Sequence, residues 1–272
     1  MKIHHLNCGT IRPRMAGVLN PAMALMPCHC LLLEAGADLV LVDAGIGLAD
    51  MAEPRRLGPM SLVLNLKQEP EETAVRQVER MGFAPGDVKH ILCTHLDLDH
   101  AGGLADFPQA RVHVMEAEHE ACAHPGTARE KKRYRPCHFQ HGPDWVTHQE
   151  LSPEKWFGLD CIRDLPGLPP EIVLIPLPGH TRGHMGVAVK TGDAWLLHCG
   201  DAYDLRDEML EGRRSPLTIR LFQHVAHMDH PGAMDRKEAL KAVVRESGGT
   251  VTLMATHEPA EYEELSGKRL FG

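Results

Sequence analysis

Apolar residues fall in short blocks along the chain, either alternating with polar ones or running together. Gly, Pro, Asp or Asn stands at the edges of each block, which is the sequence pattern of strands rather than helices. Such blocks occupy residues 2–6, 28–34, 38–43, 90–94 and 111–115, then 171–175, 185–190, 194–198 and 250–255. Residues 28–34 and 38–43 flank Ala35-Gly36-Ala37, the signature of a tight turn between two strands. Helical spacing replaces this pattern at Ala74, Val75, Val78 and Met81, with Gly82 as a stop, and predicts a helix over 71–81. A second helix is predicted over 235–246. Two β-rich halves with helices between them imply two sheets packed face to face, with helices outside.

The length of 272 residues admits two small domains or one large α/β domain. The reading favoured is a single domain over 1–272, interrupted by an excursion at about 123–170. That excursion carries Tyr134, Phe139, Trp145, Trp156 and Phe157 in an otherwise aromatic-poor chain, together with the basic run 129–135. It reads as a lid or wall over a pocket, with Trp145, Trp156 and Phe157 as candidate substrate contacts; for the basic run alone, a solvated surface face is the plainer reading. The net charge of −8 gives no global attraction to nucleic acid or anionic membrane, so a small-molecule substrate is the expected partner. Oligomeric state is left open.

Eight cysteines are spread through the chain without the dense spacing of a disulfide scaffold, which suits a reducing, cytoplasmic setting. Residues 15–33 are uncharged and follow Arg12 and Arg14, a superficial likeness to a signal peptide that Asn20, Pro21, Pro27 and His29 break.

The chemistry concentrates in His95-Leu-Asp97-Leu-Asp99-His100, which follows a strand and precedes Gly102 and Gly103. Four potential ligands in six residues is the density of a metal site. Three later segments each put His or Asp at the end of a strand: Pro178-Gly-His180-Thr-Arg-Gly-His184, Cys199-Gly-Asp201 and Thr256-His257-Glu258. Imidazole and carboxylate together suit Zn, Mn or Fe, and a shared carboxylate lets two ions occupy one site. Cys93 and Cys199 read as buried inert thiols, and Glu258 as a surface or supporting carboxylate. His4, His5, His138, His141, His148, His224, His227 and His230 lack so tight a pattern and are expected at the surface or in the excursion.

In order and kind, these segments resemble the metallo-β-lactamase superfamily, from Asp43-Ala-Gly45 to His257. The resemblance implies a four-layer αββα sandwich and a centre of two divalent ions. It places His95, Asp97 and His180 at the first ion, Asp99, His100 and His257 at the second, and Asp201 between them; His184 would orient its neighbours. Where the family's commonest motif has His, this chain has Asp97, which leaves the core about one charge less positive and favours neutral esters and lactones over anions. A hydroxide bridging the ions would be the nucleophile, and Asp99 would pass a proton to the leaving group.

Within the superfamily the motifs look most like lactonases acting on N-acyl homoserine lactones. Those enzymes carry a tyrosine three residues after the bridging aspartate; here Tyr203 stands two after Asp201 and is the candidate to assist the carbonyl. A thioesterase of the glyoxalase II type and an organophosphate hydrolase share the ligand set and compete with this reading. A nuclease and a metal-binding sensor without turnover stand further off.

Overall fold

The computed structural model describes residues 1–13, 23–36 and 38–270. Strands β1 (Lys2–Ile11), β2 (Met26–Ala35) and β3 (Asp38–Val42) pair antiparallel in sequence order. Strands β4 (Val88–Leu92), β5 (Arg111–Met115) and β6 (Asp144–His148) then extend the same sheet in parallel. A second sheet holds β7 (Ile172–Pro176), β8 (Met185–Thr191), β9 (Ala194–His198) and β10 (Val251–Met254) in the order β10-β9-β8-β7, with only β10 parallel to its neighbour. The described helices are α1 (Leu48–Ala52), α2 (Met60–Leu64), α3 (Ala74–Arg80), α4 (Leu98–Ala101), α5 (Glu116–Ala123), α6 (Ala128–Arg133), α7 (Leu217–Ala226), α8 (His230–Glu246) and α9 (Pro259–Ser266).

Side-chain alternation explains the layering. Along β2, Leu31 and Leu33 point to one face and join Val40, Val42, Leu174 and Val187 in a core between the two sheets. Cys30 and Leu32 point to the other face, beneath Val75 and Val78 of α3. On the second sheet Val173, Ile175, Ala188 and Leu197 turn outward against Leu240 and Val243 of α8. Helix, sheet, sheet, helix is therefore the αββα order expected. Each fully buried Leu contributes roughly 1.5–3 kcal/mol, so a one-residue slip of β2, which would exchange its two faces, is strongly disfavoured.

Local differences from the sequence expectations have local causes. The first strand continues past Leu6 to Ile11 because β2 pairs with it across an irregularity between Asn7 and Thr10. The helix expected over 71–81 divides into a 3-10 turn at Pro70–Glu72 and α3, since Thr73 is extended (φ −61°, ψ 148°). Helix α8 starts earlier than residue 235, at His230, where the Asp229 side chain caps the Gly232 amide. Strand β6 lies inside the 123–170 excursion and was not anticipated. The uncharged stretch at 15–33 falls partly outside the described residues, as does Ala37 of the expected turn; its remainder from Met26 onward is β2. No described helix is long and apolar enough to cross a membrane.

Candidate metal centre

The candidate ligands sit in the segments that follow β4, β7, β9 and β10, all opening on the same end of the sandwich. His95 and Asp97 lie between β4 and α4, Asp99 and His100 on α4, His180 between β7 and β8, Asp201 after β9 and His257 after β10. His95 Nε2 lies 3.2 Å from Asp97 Oδ2, and His180 Nε2 lies 3.3 Å from the same oxygen. On the other side His257 Nε2 is 3.4 Å from Asp99 Oδ2. Asp201 stands between the two sets: its Oδ2 faces His180 at 3.4 Å and its Oδ1 faces His100 at 3.3 Å and His257 at 3.6 Å.

The buried Nε2 atoms of His95 and His100 and Oδ1 of Asp201 make no hydrogen bond, an arrangement costly for polar groups unless something else binds them. Donors around a Zn-sized ion at about 2.0–2.2 Å stand roughly 3.3–3.6 Å apart in tetrahedral geometry, and the spacings above match. The donor spacings therefore suit divalent ions, with all seven sequence candidates brought together, while Asp97 and His180 at the first set are also engaged by a guanidinium.

Supporting groups hold the donors from behind. Asp43, buried and in the left-handed region at φ 58°, accepts from the Thr94 amide at 2.7 Å and the Thr94 hydroxyl at 2.8 Å. Its Oδ2 also lies 2.8 Å from His100 Nδ1, fixing which nitrogen of that ring faces the centre. His257 Nδ1 lies 2.8 Å from the Pro27 carbonyl, and the Asp201 amide donates to His184 Nε2 at 3.0 Å. A Cβ on Gly200 would come within 2.5 Å of that His184 nitrogen, and Gly200 has φ 55°, so only glycine permits this turn.

Buried Glu118 accepts from the amides of Leu96 and Gly183, each at 3.0 Å, and from the Tyr134 hydroxyl at 3.2 Å. It ties the two loops bearing His95 and His180 together. Burial opposes charge throughout the centre, but Asp201 and Asp43 outweigh it at His100, whose pKa is held well above its ordinary value. His257, beside Asp201 and Asp99, is raised to about 9 against the same burial. For Asp201 burial acts upward, and His100 and His257 draw its pKa well below the ordinary carboxylate range. Asp97 and Asp99 are likewise held below the ordinary carboxylate range against burial, so three ionised carboxylates meet here, balanced by the protonated rings of His100 and His257 and by a neighbouring guanidinium.

Arg133 is the residue that motif reading missed. It projects from α6, donating from Nε to Asp97 Oδ1 at 2.6 Å and from a terminal nitrogen to Asp97 Oδ2 at 2.5 Å, and it also contacts His180 Nε2. Its other terminal nitrogen donates to the Ala226 carbonyl at 2.8 Å. The guanidinium cancels the extra negative charge of Asp97, so the deficit expected from Asp97 alone is corrected: the pair is neutral, as a histidine would be. No spacing rule links residues 97 and 133, and only the path of the excursion brings them together. Arg129 of the same basic run donates to the Val225 and His227 carbonyls, while Lys131 and Lys132 are exposed.

Other candidates are placed differently from expectation. The Tyr203 hydroxyl donates to the Glu261 carboxylate at 2.9 and 3.1 Å, within the core beneath α8. None of its hydrogen bonds reaches a donor of the centre, so the carbonyl-assisting role expected of it is withdrawn. Trp156 packs against Phe157 and Trp195 on the second sheet's outer side. Trp145, on β6, packs with His119 and Phe139 on the first sheet's outer side. These three aromatics do not form one wall, because the excursion splits between two layers.

Leu98 of the motif belongs to a buried apolar cluster with Met26, Cys28, Ile46, Met51, Leu57, Leu205 and Ile219. His138 and His148, which lie in the excursion, are buried there, and His227, which lies outside it, is buried as well, with its Nδ1 3.1 Å from His180 Nδ1. Glu258 is buried and caps α9.

Similarity to known proteins places the chain in a family. The family model described as Metallo-beta-lactamase superfamily matches residues 23–244. A probable metallo-hydrolase of Mycobacterium tuberculosis is 39% identical over 264 residues, covering 97% of this chain and 82% of the relative. An N-acyl homoserine lactonase of a Bacillus species is 26% identical over 176 residues, covering 64% of this chain and 62% of the relative. A solved N-acyl homoserine lactone hydrolase with the product N-hexanoyl-L-homoserine at its catalytic metal centre superposes with TM-score 0.70 at 22% identity, covering 99% of this chain and 97% of the other.

Proposed function

Since the chain belongs to the metallo-β-lactamase superfamily and is a metal-dependent hydrolase, we propose that it uses two divalent ions to open the ester bond of a lactone, with N-acyl homoserine lactones as the substrate class. The observation that carries the dinuclear reading is the shared carboxylate: Asp201 faces His180 with one oxygen and His100 and His257 with the other. His95, Asp97 and His180 would hold the first ion and Asp99, His100 and His257 the second, with Zn the leading choice and Mn or Fe open to the same donors. Bound ions supply Lewis acidity at the carbonyl and bring the pKa of water near 7, so no side-chain nucleophile is required.

The chain's own residues do the rest. Asp99, held by His257, is the carboxylate that carries a proton to the leaving alkoxide. His184 keeps the Asp201 backbone in place, and Glu118 holds the two donor loops at a fixed spacing.

Lactone chemistry is supported by the named activity of the Bacillus relative. A phosphate-rich polymer is a poor fit, because Arg133 is committed to Asp97 and Arg129 to the Val225 and His227 carbonyls, leaving Lys131 and Lys132 as the exposed, uncommitted cations of the helix. All eight cysteines are free thiols, which supports a reducing, cytoplasmic setting. The test is a panel of N-acyl homoserine lactones, thioesters, organophosphates and RNA with metal-loaded and chelator-treated protein. Ring opening followed by acid release, abolished by chelator, is expected. Turnover of a thioester or organophosphate with no lactone opened would move the activity to that class.

A further inference from the structure

Cys28 enters the centre from a direction that the His and Asp motifs do not cover. It is the third residue of β2, wholly buried, and its Sγ lies with a carboxylate oxygen of Asp99 and a ring nitrogen of His257 so that all three atoms are within 4.8 Å of one another. Its placement follows from the backbone on either side. The Pro27 carbonyl receives His257 Nδ1 at 2.8 Å, and the His29 amide donates to the Thr256 carbonyl at 3.0 Å. The start of β2 is thus laced to the segment carrying His257, and the side chain between these two bonds points at the second set of donors. The Cys28 amide is itself fixed by Asn7 Oδ1 at 3.1 Å. The thiols of Cys137, Cys161 and Cys199 donate to backbone carbonyls, while among the described residues Cys28 Sγ has no such bond.

We infer that Cys28 is a sulfur ligand of the second ion, joining Asp99, His100, His257 and Asp201. The inference rests on the metal-centre reading above and adds to it a donor of a different kind. Zn–S bonds are about 2.3 Å and Zn–O and Zn–N bonds about 2.0–2.2 Å, so donors on one ion can stand no more than about 4.5 Å apart. That limit belongs to donors on opposite sides of the ion; at the tetrahedral angle they stand about 3.6 Å apart, so the cluster, with its atoms within 4.8 Å of one another, closes on an ion by an adjustment of up to about 1 Å. On binding, the thiol gives its proton to solvent and the thiolate forms the metal bond, with no change of oxidation state. A thiolate is a soft donor, so the second position selects Zn over Mn, whereas the first, built of imidazole and carboxylate only, discriminates less.

Cobalt(II) substitution of the whole protein separates this inference from the reading it rests on. Visible d–d bands report Co(II) bound by protein donors, and a near-ultraviolet sulfur-to-cobalt charge-transfer band reports a thiolate ligand. Both are expected in the wild type. Cys28→Ala and Cys28→Ser should lose the charge-transfer band and keep the d–d bands, while Cys93→Ala and Cys199→Ala keep both. The wild-type spectrum decides even where a variant fails to fold. Absence of all bands at saturating Co(II) would remove the metal centre itself. Visible bands without the charge-transfer band, or a charge-transfer band that survives in a folded Cys28 variant, would overturn the role of Cys28 and leave the His and Asp centre standing.

Discussion

Arg133→Met tests the electrostatic logic of the centre most directly, because it removes a charge and keeps much of the side chain's length. In the wild type the guanidinium makes two bonds to Asp97, at 2.6 and 2.5 Å, and the two side chains are only 14% and 15% exposed. Breaking a fully buried pair costs about 3–5 kcal/mol because the remaining charge is stranded. The residual exposure here reduces the expected coupling to about 2–3 kcal/mol. Arg133 also bonds the Ala226 carbonyl and contacts His180, so the single variant overstates the pair. A double-mutant cycle with Asp97→Asn isolates it.

The assay is urea unfolding of chelator-treated protein, repeated after metal loading. In the metal-free protein the cycle should return about 2–3 kcal/mol of coupling. In the loaded protein the ion offers Asp97 a second cation, and the coupling should fall to about 1 kcal/mol. A coupling below about 0.5 kcal/mol in the metal-free protein would mean that Asp97 is stabilised by something other than Arg133, and the charge-neutral account of position 97 would fail.

Two further outcomes follow from groups around the centre. Glu118→Gln should destabilise the protein by about 1–3 kcal/mol and weaken metal binding together, because an amide nitrogen would face the Leu96 or Gly183 amide that the carboxylate now satisfies; unchanged thermal midpoint and metal affinity would dismiss it as the tie between loops. The second concerns His113, which is buried between His90 and His148 at 2.9 and 3.0 Å and whose pKa is lowered to about 3 by burial and then by those neighbours. As pH falls below about 6.5 the unfolded chain takes up a proton that the folded one refuses, so stability is full above that pH and is lost toward about 3, by roughly 2 kcal/mol at pH 5 from this residue. Urea midpoints of chelated protein at pH 7 and pH 5 should differ accordingly, with a smaller difference in His113→Gln; an identical pH slope in the variant would acquit His113.

What could be read from sequence and what could not divide along a physical line. Alternating apolar residues predict two sheets because burial repeats every second residue, and Leu31 and Leu33 against Cys30 and Leu32 obey that rule without reference to anything distant. Ligands clustered in one loop, such as His95 to His100, are legible for the same reason: the chemistry is local. Tyr203 was misjudged because a position two residues from a ligand says nothing about which layer the side chain enters, and Glu261 arrives there only through α9.

Arg133 and Cys28 were hidden for the complementary reason. Each meets the centre through a pairing far along the chain, Arg133 through the excursion that carries α6 across Asp97, and Cys28 through the lacing of β2 to residues 256 and 257. The two act on the centre's charge in opposite senses, a guanidinium offsetting Asp97 at the first position and a thiolate adding a negative donor at the second. A centre whose motif has one acid too many by count therefore differs between its two ends, and metal selectivity rather than overall charge is the property that this difference should set.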